Sequence, residues 1–418
     1  EQLSFAFCKS GKDAHACGAC WCGSVAMVGA ATCGYTAVIT SVIISVLSTA
    51  SAELGSFGVA GHFTYQNPYG RDQGLTKWPI NTTEQLKLVA AACGMPGGLR
   101  RCYYKTDLPP DPADIHMDWA VTLARQATLE NVTLLPLIGI NGNDLARGTA
   151  NLTSTAETIA NLLVPHSVDV WQVSDEWATP HCARIDYKTR FGMNKSDYDE
   201  GCMKNFTAAL TAFITGILKV SPNATVIPVS MGWMRLGIWQ WMKDEGVPLT
   251  GVGLDWYSDC GQINCTCNAY PPTAQACATN CTDILELLIG DHGLFPNVPL
   301  WITEMNRKNG ACNGTDVYHH PGTPCVPSDS IGEQAQADYV KAALSEYKSL
   351  ADAGHRIEGA IVYELFDQPQ RAPDAESVYG MVRVTNTSAR NSWMVNGTKP
   401  IFAAVRTFNT PPSPVGDS

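Results

Sequence analysis

The chain has 418 residues, of which 45% are hydrophobic and only 16% charged, and its formal net charge is -11. This length suits one large domain or two ordinary ones, and the apolar fraction supports a sizeable core. The negative charge argues against nucleic acid and anionic membrane surfaces as partners.

Residues 1–56 differ from the remainder of the chain. They contain five cysteines and no glycosylation sequon, and residues 14–52 carry no Asp, Glu, Lys or Arg. A membrane span, a retained signal-like segment, a zinc knuckle and a disulfide cluster are alternatives for parts of this segment. We favour burial against partner subunits, because an uncharged apolar stretch outside a complete domain needs another surface to cover it. The segment therefore predicts a homo-oligomer or filament, and a membrane anchor is the less favoured interpretation.

From residue 57 onward, strand-like and helix-like segments alternate. Eight strands, each followed by a helix, predict a (β/α)8 TIM barrel over residues 57–418, with disulfide-bonded loop insertions. An open doubly wound sheet is the alternative, but no Gly-x-Gly-x-x-Gly phosphate loop follows the first strand. The predicted strands are Phe57–Phe63, Gly98–Tyr104, Val132–Ile140, Val168–Asp175, Ala224–Ser230, Gly251–Tyr257, Val298–Thr303 and Gly359–Leu365. The predicted helices are Thr82–Cys93, Ile115–Leu129, Ser154–Leu163, Glu200–Val220, Leu236–Glu245, Thr282–Ile289, Gly332–Ala353 and Pro400–Phe408. The long insertions are Asp259–Asn280 and Arg307–Asp329.

Cysteines and sequons indicate the compartment. The chain has 16 cysteines and eleven Asn-x-Ser/Thr sequons, and it begins at Glu1 rather than at a methionine. Together these features favour a secreted, disulfide-bonded eukaryotic glycoprotein, extracellular or on the cell surface, whose signal peptide has been removed. The sequons begin at Asn81, Asn131, Asn151, Asn194, Asn205, Asn223, Asn264, Asn280, Asn313, Asn386 and Asn396. Local spacing favours disulfides between Cys93 and Cys102, Cys182 and Cys202, and Cys312 and Cys325, although connectivity cannot be read from sequence.

Two glutamates end short apolar strands. Glu176 follows the fourth predicted strand and Glu304 follows the seventh, and each precedes a turn-prone segment. The C-terminal rim of the strands is where alternating α/β barrels place catalytic groups, and two facing carboxyls are what glycosidic bond cleavage needs. A single glutamate after a strand is more often a solvated loop residue, but the paired placement favours catalysis.

These motifs, in this order, resemble those of the large clan of retaining (β/α)8 glycoside hydrolases. Residues 301–304 look like the clan's nucleophile motif, residues 57–63 and 99–103 like its first two strands, and residues 363–369 like the eighth strand of some members. The resemblance covers residues 57–408. It implies that Glu176 is the acid/base and that Glu304 is the nucleophile.

One departure from the clan concerns the residue before the acid/base. The clan usually has an asparagine there, which binds the 2-hydroxyl of the sugar, whereas this chain has Asp175. The extra carboxylate changes the hydrogen bonding offered to the sugar and the proton affinity of Glu176. It indicates either an unusual substrate or an impaired site.

Further candidates follow from the same pattern. One of the adjacent Arg100 and Arg101 faces the barrel interior; we favour Arg101 as the residue that holds Glu304 ionised. Tyr257 is expected to hydrogen-bond the nucleophile. The side chains expected to stack on sugar rings are Trp177, Trp233, Trp256 and Tyr363, with core packing an equal alternative for the tryptophans. No cofactor and no metal site is predicted.

The sequence therefore supports a secreted glycosidase that acts on a carbohydrate and is displayed on an assembly through residues 1–56. The alternative is a structural subunit of an extracellular filament or surface layer, with a catalytically impaired glycosidase-like barrel. A third interpretation is a carbohydrate-binding module that keeps the cleft without turnover.

Overall fold

The computed structural model describes most of the region after residue 53. The described residues are 54–61, 82–95, 98, 100–108, 117–186, 192–232, 235–260, 262–267, 281–307, 330–368, 375–387 and 392–410. Residues 1–53 of the predicted assembly segment lie outside them. The predicted site residues that also lie outside are Asn81, Trp233, Asn280, Cys312, Asn313 and Cys325, together with the side chain of Asn386.

Eight parallel strands close into a barrel in the order β1-β8-β7-β6-β5-β4-β3-β2, which confirms the predicted TIM barrel. The strands are β1 (Ser56–Ala60), β2 (Arg101–Leu108), β3 (Thr133–Ile138), β4 (Val170–Val173), β5 (Thr225–Met231), β6 (Val252–Tyr257), β7 (Leu300–Asn306) and β8 (Ile357–Tyr363). The strands are apolar on both faces, because one face lines the barrel interior and the other packs under the helices.

Helices follow the strands around the barrel. Within the described ranges they are α1 (Thr82–Ala92), α2 (Met117–Leu129), α3 (Thr149–Leu163), α4 (Ala178–Cys182), α5 (Glu200–Val220), α6 (Leu236–Asp244), α7 (Ile284–Ile289), α8 (Ser330–Asp352) and α9 (Pro400–Asn409). Local sequence sets several of their starts. The Asp199 side chain caps α5 by accepting from the backbone N–H of Cys202 at 2.8 Å, and Pro400 supplies the fixed φ of the first turn of α9.

Two small antiparallel pairs were not predicted. Val382–Thr387 pairs with Ser392–Thr398 between β8 and α9, and Thr266–Cys267 pairs with Cys281–Thr282 after β6. Both lie in the connections after barrel strands, and the second is closed by the disulfide between Cys265 and Cys281.

Side chains form two apolar layers. The barrel interior is filled by residues that include Tyr103, Leu135, Val170, Trp301 and Ile361. The larger layer lies between the outer faces of the strands and the helices. Since the interior layer fills the barrel below its C-terminal rim, the space left for a ligand lies at that rim.

Helix α5 packs closely on α3. A Cβ on Gly216 would come within 2.4 Å of the Thr153 carbonyl oxygen and 2.6 Å of the Ala156 Cβ, so the glycine is what permits the close approach. Of the helices searched in the described ranges, α5 alone has the length and hydropathy of a membrane span. Its apolar residues are largely buried within the fold, as expected for the core helix of a barrel.

Three disulfides are present among the described cysteines. Two join the pairs favoured by sequence spacing, Cys93–Cys102 and Cys182–Cys202, and the third is Cys265–Cys281. They indicate an oxidising compartment. The sequon asparagines whose side chains are described are all exposed: Asn131, Asn151, Asn194, Asn205, Asn223, Asn264 and Asn396.

Candidate active site

A cavity of about 480 Å³ opens at the C-terminal ends of the barrel strands. Its size is within the usual range of small-molecule sites, and its position is where barrels of this type carry chemistry. The charged side chains in its lining are Asp107, Asp175, Glu176, Asp255 and Glu304, together with Lys105 and Arg235. Negative groups thus outnumber positive ones, and both predicted catalytic glutamates lie in one cavity.

A β-bulge in β7 sets the direction of Glu304. Leu254 of β6 pairs with Ile302, but the next residue, Asp255, pairs with Glu304. Thr303 is therefore an extra residue in β7. The pairing of β7 with β8 is shifted across the same residues. Bulges of this kind bend a strand and redirect its side chains, and they are frequent beside active sites.

The bulge changes which residues face the cavity. Trp301 packs inside the barrel and Met305 packs under the helices. Strict alternation from Trp301 would turn Glu304 outward, because successive side chains of a strand point to opposite faces. With Thr303 inserted, Glu304 lines the cavity instead.

Both carboxylate oxygens of Glu304 accept hydrogen bonds. Oε1 accepts from Lys105 Nζ at 2.7 Å, and Oε2 accepts from the Tyr257 hydroxyl at 2.7 Å. Lys105 also donates to the Thr303 carbonyl oxygen at 3.2 Å, and its side chain is only 3% exposed. Glu304 is therefore fixed at both oxygens, one of which is bonded to an ammonium group.

The structure corrects the predicted role of Arg101. Arg101 is on the interior side of β2, with its guanidinium 5.2 Å from the Tyr103 ring, but it begins the strand and pairs with Asp169 at 2.5 Å. Its side chain is 52% exposed at the N-terminal end of the barrel. Lys105, four residues or about 13 Å further along the strand, is the cation that reaches Glu304.

Lys105 is positively charged despite its burial. Desolvation alone would lower its pKa, but the negative charges of Glu304, Asp255 and Asp175 raise the pKa above the ordinary lysine value. The sequence did not lead to Lys105, because the role of holding Glu304 ionised was assigned to one of the two arginines nearby. Its signal was its position on the interior face, two residues after Tyr103.

A left-handed residue directs Glu176 into the cavity. Strand β4 ends at Val173, and Ser174 then has φ 69°, while its N–H donates to the Ile138 carbonyl oxygen at 2.7 Å. The Ser174 hydroxyl donates to the Asp175 carbonyl oxygen at 2.9 Å. The chain thus turns at the end of β4, and the next two residues, Asp175 and Glu176, both line the cavity.

Asp175 is tied to the strand that precedes it. Gln172 donates through Nε2 to Asp175 Oδ1 at 3.0 Å. Carboxylate oxygens of Asp175, Asp255 and Glu304 lie within 4.8 Å of one another. Asp175 therefore belongs to one carboxylate cluster with Asp255 and Glu304, and its charge also acts on Glu176.

Glu176 is held in a different environment from Glu304. Burial raises its pKa well above the ordinary glutamate value, and the negative charges of Asp175 and Glu304 raise it further. Lys105 and a hydrogen bond with Asp255 act in the opposite direction but only offset part of the shift. Glu176 therefore keeps its proton to a higher pH than an exposed carboxyl would.

Asp255 was not predicted from the sequence. It is 1% exposed, and its Oδ1 accepts from the Thr303 hydroxyl at 2.8 Å. Burial raises the pKa of Asp255, and the charge of Glu304 raises it further. The feature of the sequence that could have identified Asp255 is the alternation of side chains along β6, which places Asp255 on the same face as Tyr257.

Tyrosines form the apolar wall of the cavity. Tyr379 stacks on Tyr257 with ring centroids 5.8 Å apart, and it meets Tyr363 edge to face at 5.9 Å. Asn306 and Gln336 donate to the Tyr379 carbonyl oxygen at 2.8 and 3.0 Å, which fixes the segment after β8. Tyr379 was missed because it lies in a connection, where no periodic pattern marks it.

The described tryptophans that were predicted to stack on sugars do not line the cavity. Trp256 is 1% exposed and packs in the layer under the helices, so the core-packing alternative is correct for it. Trp177 is half-buried and stacks on His181 at 4.8 Å and on Phe206 at 5.5 Å. Among the predicted stacking residues that the structure describes, Tyr363 is the one that lines the cavity.

Comparison with known proteins gives likeness of fold. No protein-family model matches the chain, and no curated protein matches it in sequence. A glucosidase from Croceicoccus marinus has a TM-score of 0.51 at 14% identity, covering 86% of this chain and 67% of that chain. The β-glycosidase BGL167 has a TM-score of 0.50 at 12% identity, covering 88% of this chain and 99% of that chain.

A family 39 glycoside hydrolase from the gut symbiont Bacteroides cellulosilyticus WH2 has a TM-score of 0.49 at 14% identity. The match covers 86% of this chain but spans 64% of the length of that enzyme. At such identities a likeness concerns the fold and leaves the reaction to be argued from the site. The protein thus has a (β/α)8 barrel similar to those of glycosidases.

Proposed function

We propose that the protein hydrolyses a glycosidic bond with retention of configuration, with Glu304 as nucleophile and Glu176 as acid/base. The observation that carries this proposal is the contrast between two carboxyls in one cavity. Glu304 accepts hydrogen bonds from an ammonium and a phenol, whereas burial and neighbouring charges raise the pKa of Glu176. Environments that separate two titratable groups in this way are typical of an acid and a nucleophile.

In the first step, Glu304 attacks the anomeric carbon while the bond from that carbon to the leaving oxygen breaks. Glu176 gives its proton to the leaving oxygen, so that a glycosyl ester of Glu304 and a free alcohol result. In the second step, Glu176 takes a proton from water, whose oxygen attacks the anomeric carbon and releases Glu304. Lys105 and Tyr257 hold the Glu304 carboxylate in position at the start and at the end of this cycle.

The remaining lining suits a sugar ring. Tyr363 and Tyr379 provide aromatic surface for the apolar face of a pyranose, and Asp175 provides carboxylate oxygens that accept from hydroxyl groups. A carbohydrate is thus the proposed partner of the cavity. The same Asp175 is the residue by which the sequence departs from the clan, so its substitution by asparagine tests whether the aspartate sets substrate choice.

The direct test is covalent trapping. Incubation with a panel of mechanism-based fluoro-sugars, followed by intact and peptide mass measurement, should give an adduct on Glu304. The Glu304→Gln variant should give none, and the variant Glu130→Gln, at a half-buried position after α2 that does not line the cavity, should react like the wild type. If no fluoro-sugar gives an adduct while sugars still bind in calorimetry, the proposed hydrolysis is wrong. The protein would then be a binding module that lacks turnover.

We also propose, from the sequence, that residues 1–56 join copies of the protein in an extracellular assembly. The three disulfides and the exposed sequon asparagines support the compartment. Removing residues 1–53, which leaves the buried Leu54 and strand β1 intact, should reduce the particle mass to that of a single barrel in light scattering. Unchanged assembly after the truncation would contradict the role of this segment in joining copies of the protein. An unchanged mass after enzymatic deglycosylation would contradict the proposed glycosylation of the sequon asparagines.

A further inference from the structure

We propose that Asn306 is a positioning residue that holds the aromatic wall of the cavity in place relative to Glu304. The aromatic wall consists of Tyr257, Tyr363 and Tyr379, which all line the cavity. Asn306 is fully buried and does not itself line the cavity. The inference rests on the proposed function, because it assigns to the wall the alignment of the sugar ring with the nucleophile.

The side-chain amide of Asn306 contacts several parts of the chain at once. Its Nδ2 donates to the Tyr363 carbonyl oxygen and, at 2.8 Å, to the Tyr379 carbonyl oxygen. Its Oδ1 accepts from the Arg307 backbone N–H at 2.7 Å and from Gln336 Nε2 at 3.2 Å. One side chain on β7 thus ties together the end of β8, the connection after β8 and helix α8.

These contacts require an amide at position 306. The carbonyl oxygens of Tyr363 and Tyr379 can only accept, so the group that faces them must donate. Gln336, which is also fully buried, donates in addition to the Tyr379 carbonyl oxygen at 3.0 Å. An aspartate in place of Asn306 has nearly the same shape, but it would set a carboxylate oxygen against both carbonyl oxygens.

The aromatic wall leads back to the nucleophile. The Tyr379 ring stacks on Tyr257 with ring centroids 5.8 Å apart, and the Tyr257 hydroxyl donates to Glu304 Oε2 at 2.7 Å. Asn306 lies two residues after Glu304 on β7 and is the register partner of Tyr257 on β6. The contacts therefore form a closed path that starts and ends on β7. Such a path leaves the Tyr379 ring little freedom to move relative to the Glu304 carboxylate.

The segment around Tyr379 has further ties, so losing the amide contacts should displace the wall without unfolding the segment. The Met381 N–H donates to the Glu364 carbonyl oxygen at 2.9 Å, and Lys399 Nζ donates to the Val378 carbonyl oxygen at 2.9 Å. A sugar would still enter the cavity, but its anomeric carbon would lie out of line with the nucleophile. A misplacement of about 1 Å between reacting groups can cost about 100-fold in rate.

The test measures the hydrolysis of a panel of 4-nitrophenyl glycosides. Gln336→Met removes a donor to Tyr379 and to Asn306 with little change in length, so kcat should fall about 10-fold while KM stays within about three-fold. Asn306→Asp should lower kcat about 100-fold. Because a buried aspartate can prevent folding, the conclusion rests on Gln336→Met. The matched control is Gln334→Met, at an exposed position of the same helix, which should behave like the wild type.

A double-mutant cycle shows whether Gln336 acts through the Tyr379 ring. Tyr379→Leu removes the ring but keeps the backbone carbonyl oxygen that accepts from Gln336 and Asn306. If the amides act by placing this ring, Gln336→Met should lower kcat by less than about two-fold in the Tyr379→Leu background. A merely structural defect would lower kcat by about 10-fold in both backgrounds, and that result would overturn the inference.

A second measurement needs no substrate. Near-ultraviolet circular dichroism reports the packing of aromatic rings, whereas the far-ultraviolet spectrum reports secondary structure. Gln336→Met should change the tyrosine band and leave the far-ultraviolet spectrum as in the wild type. In the Tyr379→Leu background, the same substitution should leave the tyrosine band unchanged.

The outcomes separate this inference from the proposed function. A tyrosine band that Gln336→Met changes only when Tyr379 is present, in a protein that hydrolyses none of the glycosides, would support the placement of the wall and overturn the proposed hydrolysis. Hydrolysis with a kcat and a tyrosine band that Gln336→Met leaves as in the wild type would support the enzyme and overturn the role of the amides.

Discussion

Replacing Lys105 with methionine should destabilise the protein in a pH-dependent way. Lys105 is 3% exposed and bonds Glu304 at 2.7 Å, so the change leaves several buried carboxyls without their cation. Removing one partner of a buried ion pair costs about 3–5 kcal/mol, which we expect at pH 8. At lower pH the folded variant binds one additional proton on the cluster, so its stability recovers by about 1.4 kcal/mol for each pH unit.

Denaturant unfolding at a series of pH values, followed by tryptophan fluorescence, measures how the free energy of unfolding of the variant depends on pH. The matched control is Lys219→Met, which removes an exposed ion pair of similar length, 2.8 Å to Glu157. That change should cost less than about 1 kcal/mol at any pH, since exposed pairs contribute little. A loss for Lys105→Met that is equally large at pH 5 and pH 8 would refute the argument that proton uptake compensates for the missing charge.

Three further predictions concern the acid, a disulfide and a helix contact. Because the pKa of Glu176 is raised, kcat/KM should persist above the ordinary carboxyl range and fall when Glu176 ionises; a fall near the pKa of an exposed glutamate would contradict this. Replacing Cys93 and Cys102 by serine opens a loop with a sequence separation of 9 and should lower the free energy of unfolding in denaturant by about 2.5 kcal/mol. An unchanged free energy of unfolding would show instead that the loop is already ordered when reduced. Gly216→Ala should cost about 1–3 kcal/mol, because its Cβ would meet the Thr153 carbonyl oxygen at 2.4 Å; an unchanged melting temperature would show that α3 and α5 separate freely.

The barrel was predictable because its signal is periodic. Alternating apolar strands and amphipathic helices recur eight times, and these elements differ from the expectation only at their ends. The two small antiparallel pairs and the short helix α4 were not predicted. Helix α3, for example, begins at Thr149 instead of Ser154, after Gly148 at φ 83°. Its first residues are polar and sequon-bearing, which resembles a loop in sequence, although Leu152 is buried.

The site was only partly predictable, since its geometry depends on departures from regular strands. The two glutamates were located from the chain order of the strands. The register that brings Glu304 into the cavity depends on the bulge at Thr303, and strand alternation alone would have turned it away. Arg101 was favoured over Arg100, and Lys105 was not considered, because facing direction can be read from alternation, whereas height along the barrel axis requires the register of neighbouring strands.

The bulge at Thr303 adds one side chain to β7, and the pairing with β6 resumes at the next residue. Deleting this one residue would leave β7 long enough to pair with both neighbours, so that the cylinder would still close. Glu304 would then follow Ile302 directly and would stay on the interior face beside Asp255, but the hydroxyl that anchors Asp255 would be gone. The inserted residue thus adds a hydrogen-bond donor under the cavity while the next carboxyl keeps the facing that a regular strand would give it.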